Sequence, residues 1–208
     1  MSTAPALSQD EAFARIRLLR SPNVGPVSYA QLLRRFGDAR SALEALPDLA
    51  ARGKRAYRAA PAEAIEREVA AARKAGARYL FHDSPDYPPL LAQIEGAPAA
   101  LSLIGHPHLF LEPAISIVGA RNASGNALRF TERIARDLGA QGVVIVSGLA
   151  RGIDTAAHQG SIESGTVAVV AGGADIVYPP ENEALRDRIA AEGALLAEAP
   201  IGTRPLAR

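Results

Sequence analysis

Four short, mostly apolar runs constrain this chain more than any other feature: Ala114–Val118, Val143–Val146, Thr166–Ala171 and Ala194–Glu198. Between them lie segments with helical patterning, roughly 126–138, 154–164 and 182–191, stopped by Gly139, Gly165 and Gly193. A continuous apolar run suits a strand buried on both faces, and a long helical crossover is the connection that parallel strands require. Their alternation predicts an α/β fold with a mostly parallel sheet and helices on both faces. In such sheets ligands sit outside the carboxyl ends of the strands. Three glycine-bearing loops fall on that edge, at 119–125, 147–153 and 172–173.

The part before this alternation has a different texture. Ser8-Gln-Asp-Glu11 has the form of a capping box and starts a helix through Phe13, Ile16 and Leu19. Ser21-Pro-Asn-Val-Gly-Pro26 breaks it, and Pro26 opens a second helix ending at Gly37. A third, Arg40–Leu46, is expected to end at Pro47, and a fourth runs from Pro61 to Ala75. The chain therefore divides into a small all-helical domain, 1–75, and an α/β domain, 76–208. At the join, 78–81 is a short apolar run, 100–104 reads as a short strand and Leu90–Ile94 as a short helix. The two helices around Val24-Gly25-Pro26 resemble a helix-hairpin-helix module, which meets nucleic-acid backbones through turn N–H groups.

Charge follows the same division. Residues 1–75 carry 13 Lys and Arg against 8 Asp and Glu, net +5, while 76–208 carry 10 against 14, net −4. A basic half fits a polyanionic partner, and it fits equally a helical domain that uses arginine on solvated faces. With no cysteine, disulfides, thiolate metal sites and cysteine nucleophiles are excluded. No leader pattern and no apolar run near the membrane-spanning length occur, so a cytoplasmic protein without membrane attachment is expected.

The loops carry the chemistry. Val146-Ser-Gly-Leu-Ala-Arg-Gly-Ile-Asp154 joins an apolar strand to a helix start, where unpartnered backbone N–H groups favour anions. Arg151 adds a planar fork of donors suited to phosphate. Ser147 and Gly148 are candidate phosphate donors, and Gly152 permits close approach. In Gly119-Ala-Arg-Asn-Ala-Ser-Gly125, Arg121 is either a ligand clamp or the partner of a buried carboxylate, and Ser124 reads as a helix N-cap. Neither loop is a dinucleotide fingerprint or a P-loop. Asp154 reads as a first-turn acid favoured by the helix dipole rather than a catalytic group. His158 is either a structural helix histidine or a ligand contact. Tyr178 either stacks on a base or packs with its hydroxyl in water. His82, His106 and His108 lack metal-ligand spacing, so neither metal nor cofactor is expected.

Four motifs in this order, S-I-V-G-A-R at 116–121, S-G-L-A-R-G-I-D-x-x-A-H at 147–158, G-T-V-A-V-V-A-G-G at 165–173 and Y-P-P-E-N at 178–182, resemble the DNA-processing protein DprA (Smf) family from about residue 77 onward. The resemblance implies an extended Rossmann-like domain that dimerises, behind a sterile-alpha-motif-like helical domain. It implies a non-enzymatic protein that binds single-stranded DNA in natural transformation, protects the incoming strand and helps load the recombinase RecA. Carried over by position, Arg121 and Arg151 become phosphate clamps. Gly119, Ser124, Gly125, Ser147, Gly148 and Gly152 shape the pocket, with His158, Gly172 and Gly173 at its wall. The family continues into F-P-x-R-N-R-I-I, whereas this sequence ends Thr203-Arg-Pro-Leu-Ala-Arg208, so a domain truncated at its C-terminal end is expected. The rival reading is a nucleotide-cleaving enzyme of the phosphoribohydrolase type. Its Pro-Gly-Gly-x-Gly-Thr signature is not present at Ala171-Gly-Gly-Ala174.

Overall fold

The computed structural model describes residues 7–50 and 57–205. Helices α1 (Gln9–Leu19), α2 (Pro26–Phe36), α3 (Ala39–Ala50) and α4 (Ala62–Lys74) precede a six-stranded sheet. The sheet consists of β1 (Arg78–Phe81), β2 (Ala100–Gly105), β3 (Ala114–Ser116), β4 (Val144–Ser147), β5 (Thr166–Val170) and β6 (Ala194–Ala197). Helices α5 (Gly125–Gly139), α6 (Ile153–Ser161) and α7 (Glu183–Glu192) connect β3 to β6.

The strand order is β1-β2-β6-β5-β4-β3. The pairs from β3 to β6 are parallel, and β1–β2 and β2–β6 are antiparallel. Each step from β3 to β6 moves one place in the same direction. Right-handed crossovers then put α5, α6 and α7 on one face. Strand residues sort accordingly with period two. Ile145 packs with Ala135 and Ala157, while Ala168, Leu195 and Ala197 pack with Leu149 and Ile189. Val144, Val167, Ala194 and Leu196 face the other way, against Tyr87 and Leu109. Cover on that second face comes from two short 3-10 segments, Leu91–Gln93 and Pro107–Leu111. The helical cover foreseen for both faces is thus three α-helices on one side and 3-10 turns on the other.

The helical domain seats on the β1 edge. Ile16, Ala60, Ile65 and Phe81 form one apolar cluster, and Ala72 of α4 joins the main core. Ser8 caps α1 as its sequence predicts, accepting from the Glu11 N–H at 3.1 Å. The reciprocal half of the capping box is not made. Glu11 instead accepts from Arg15 Nε at 3.0 Å and from the Ala39 N–H at 3.0 Å, so it caps α3 rather than α1. Helix α3 also runs past Pro47, contrary to the predicted stop there. Ala39, Ala42 and Leu46 are buried and hold the helix down, while Pro47 is exposed. The carbonyl that loses its intrahelical donor to proline therefore lies at the wet side of the helix.

Candidate functional site

Two strand-to-helix loops meet at the carboxyl end of the parallel strands, and backbone contacts bring them together. The Ile153 N–H donates to the Ala120 carbonyl at 3.2 Å. Gly152 has φ +80°, and a side chain there would strike the Ala120 carbonyl and lie 2.7 Å from the Arg121 carbonyl oxygen. A Cβ on Gly119 would come within 2.7 Å of the Ile153 side chain. Both glycines therefore admit the neighbouring loop. The close approach expected at Gly152 is made by the backbone of the first loop.

The loop that follows β4 is held from inside. The Asp154 carboxylate, 6% exposed, accepts from the Gly148 N–H at 3.1 Å and the Ala150 N–H at 3.4 Å. An internal anion thus occupies the turn N–H groups that made this stretch an anion site in sequence. Ser147 is also spent, donating its hydroxyl to the Ile117 carbonyl at 2.7 Å. The Ser147 hydroxyl and the Gly148 N–H, the donors expected to meet phosphate, are thus both paired within the protein. Asp154 sits in the first turn of α6, where the dipole favours it, and its role is to cap the loop.

With the loop fixed in this way, a small cavity of about 90 Å³ opens beside it. Arg121 from the first loop lines it, with Gly148, Ala150 and Arg151 from the second, Ala171 and Gly172 from the third, and Tyr178, Pro179 and Pro205. None of the cavity-lining residues is acidic. Two arginines 30 positions apart in sequence thus line one cavity. Arg151 Nε lies 3.4 Å from Glu181 Oε1, with both side chains more than half exposed. Tyr178 is 43% exposed and precedes a cis peptide bond to Pro179.

The remaining predicted residues fall around this cavity rather than in it. Ser124 is the N-cap of α5, accepting from the Ala127 N–H at 3.3 Å, and Gly125 is the exposed first residue of that helix. The Gly173 N–H donates to the Thr203 carbonyl at 2.9 Å, so Gly173 ties the third loop to the 200–205 segment. Residues 206–208 of the terminal stretch lie outside the described residues.

His158 does not reach the cavity. It is fully buried, and its Nδ1 lies 2.7 Å from Thr166 Oγ1. The Thr166 hydroxyl donates to the Ile145 carbonyl at 3.0 Å, so it accepts from His158, which places the proton on Nδ1. Burial lowers the His158 pKa to about 4, keeping the ring neutral. The chain His158–Thr166–Ile145 ties α6 across β5 to β4, a structural role rather than a pocket wall.

Asn182 is the residue the sequence reading missed. Its side-chain amide donates to the Leu149 carbonyl at 2.9 Å and to Thr155 Oγ1 at 2.9 Å. Only 6% exposed, it fastens the Tyr178–Asn182 stretch onto the second loop. The signal was an amide directly preceding an acidic helix start, which reads as a cap when only local partners are considered.

Fold and site together define a Rossmann-like domain with an arginine-lined cavity at its carboxyl edge, behind a four-helix N-terminal domain. The family model for DNA recombination-mediator protein A matches residues 78–208, and that for a DprA-like N-terminal HHH domain matches 9–71. The chain belongs to the DNA recombination-mediator protein A family. It is 40% identical over 134 residues to Protein Smf of Synechocystis, covering 62% of this chain and 34% of that protein. It is 38% identical over 122 residues to the DNA processing protein DprA of Streptococcus pneumoniae, covering 58% and 43% respectively. The X-ray structure of DprA from Streptococcus pneumoniae shares the fold, with TM-score 0.69 and 24% identity over 96% of this chain and 70% of that one. DNA processing protein A from Helicobacter pylori, whose structure concerns a single-stranded DNA binding mode, aligns with TM-score 0.57 and 27% identity over 62% and 59%. The chain spans less than half the length of the two curated relatives named here. Among the described residues no helix is long and apolar enough to cross a membrane, and no group of three or more His, Asp or Glu could hold a metal ion.

Proposed function

We propose that this chain processes DNA by gripping the backbone of a single strand through the Arg121 and Arg151 side chains, outside the cell membrane's reach in the cytoplasm. The observation that carries the reading is the placement of two arginines from separate loops on one cavity at the carboxyl edge of the sheet. Guanidinium forks bind phosphate by paired, charge-assisted bonds that do not depend on sequence. The loop N–H groups are engaged by Asp154, so in this reading the side chains supply most of the grip. Tyr178, partly exposed in the cavity lining, would in this reading stack on a base as single-strand binders use aromatics. Ser124, Gly125, Gly172 and Gly173 shape the rim. Strand protection, recombinase RecA loading, homodimerisation and a non-enzymatic role belong to the same proposal and rest on family likeness.

A salt-dependent titration tests it. Arg121→Ala or Arg151→Ala is expected to weaken binding of a short oligothymidylate by about 1.5–3 kcal/mol, and each is expected to lower the salt slope by about one. Mixed-sequence single strands should respond alike, and duplex should bind less well. Parent-like affinity in both variants contradicts the assignment. Release of free base from a nucleoside monophosphate would instead favour the phosphoribohydrolase alternative.

A further inference from the structure

We infer that Glu181 is a built-in competitor for the phosphate that Arg151 would bind, so that the arginine is handed to a ligand only when a stronger anion displaces the carboxylate. The inference rests on the proposed phosphate role of Arg151 and adds the residue that sets its threshold. Glu181 Oε1 lies 3.4 Å from Arg151 Nε, with side-chain exposures of 51% and 59%. At that length and exposure the pair is loose and easily exchanged. A phosphate offers a charge-assisted, two-point match to the same fork and outcompetes one carboxylate oxygen.

The position of Glu181 is set by its neighbours. It lies in the 3-10 turn Pro180–Asn182. Adjacent Asn182 is bonded to the carbonyl of Leu149 and approaches that of Ala150 at 3.4 Å, the two residues just before Arg151. The turn that carries the carboxylate is therefore fastened to the loop that carries the guanidinium, and the two groups stay together if the loop shifts. A carboxylate held there also repels any anion that cannot exchange with it. Weak single anions are thereby rejected, and a polyphosphate backbone, which makes several contacts at once, is accepted.

Binding of a fluorescein-labelled oligothymidylate to four variants tests the assignment. Glu181→Gln is expected to bind about three- to fivefold tighter than the parent, the size of an exposed ion pair. Glu181→Asp is expected to stay near the parent. Glu163→Gln, an exposed acid following α6 and so near the opposite edge of the sheet, is expected to change nothing. In an Arg151→Gln background the gain from Glu181→Gln should vanish. A gain of the same size in that background shows only the loss of a nearby negative charge and overturns the competitor role, as does an unchanged affinity in Glu181→Gln. Unchanged binding in Arg151→Gln alone overturns the underlying phosphate assignment, and the competitor role falls with it.

Discussion

Arginine does two different jobs in two regions of this molecule. At the seam between the helical domain and β1, the guanidinium groups are spent on the fold. Arg15 donates to Asp83 at 2.6 Å and to Glu11 at 3.0 Å, and its side chain is 9% exposed. Arg20 forms a two-point pair with Glu68, with Nη2 to Oε1 at 2.8 Å and Nε to Oε2 at 3.1 Å. Arg17 donates to the Ala60 carbonyl at 2.8 Å. At the carboxyl edge of the sheet, Arg151 makes one long contact and is more than half exposed. The basic half of the sequence is thus not where the proposed anion site lies. Net charge reports how many cations a segment has, whereas function depends on which of them the fold leaves open to a ligand.

The two regions also use glycine differently, and this gives the largest expected effect. Gly152→Ala combines a left-handed backbone with a clash against the first loop, and should cost about 3–5 kcal/mol in chemical denaturation. Oligonucleotide binding should fall with it, because the two arginines are no longer held together. Gly76→Ala, beside the seam, has φ +73° but open space around it, and should cost only about 1–2 kcal/mol. Equal costs at the two glycines would remove the distinction.

Next in size is a pH effect behind the cavity. His158 has a folded pKa of about 4 against an ordinary 6.5. Between those values the unfolded chain takes up a proton that the folded chain does not, so stability is full above the ordinary value and declines as pH falls toward 4. The loss by pH 4.5 should be about 2–3 kcal/mol, and His158→Asn should flatten that part of the stability profile. Arg15→Met at the seam should cost about 2 kcal/mol, from lost charged hydrogen bonds, while leaving oligonucleotide affinity unchanged. Arg151→Ala is expected to do the reverse, altering stability by less than about 0.5 kcal/mol while weakening binding. A seam variant that lost DNA binding, or a cavity variant that unfolded, would merge the two classes.

Much of the fold was legible because its signals are local. Apolar runs and glycine stops placed β4, β5, α6 and α7 to within a few residues, and Ser8 and Ser124 act as the caps their positions suggest. The shared cavity of Arg121 and Arg151 followed from parallel topology, which puts every strand-to-helix loop on one edge. What was not legible depends on distant partners. Gly152 makes room for the Ala120 carbonyl and Gly119 for Ile153, and nothing in the local sequence names those neighbours. Asp154 was read through its own helix dipole, while its carboxylate reaches back to Gly148. His158 pairs with a residue on the next strand. Pro47 reads as a helix stop until the buried face formed by Ala39, Ala42 and Leu46 is known.

The central claim is that a DNA strand meets the arginine cavity and not the basic helical domain. Backbone amide shift mapping by NMR, with a short oligothymidylate titrated into the labelled chain, measures this directly. The account predicts saturable shifts concentrated at Ala120–Asn122, Leu149–Gly152 and Ala171–Gly173, lost in the Arg121→Ala, Arg151→Ala double variant. Shifts concentrated at the Val24-Gly25-Pro26 turn and along α1 and α2, surviving that double variant, would contradict it.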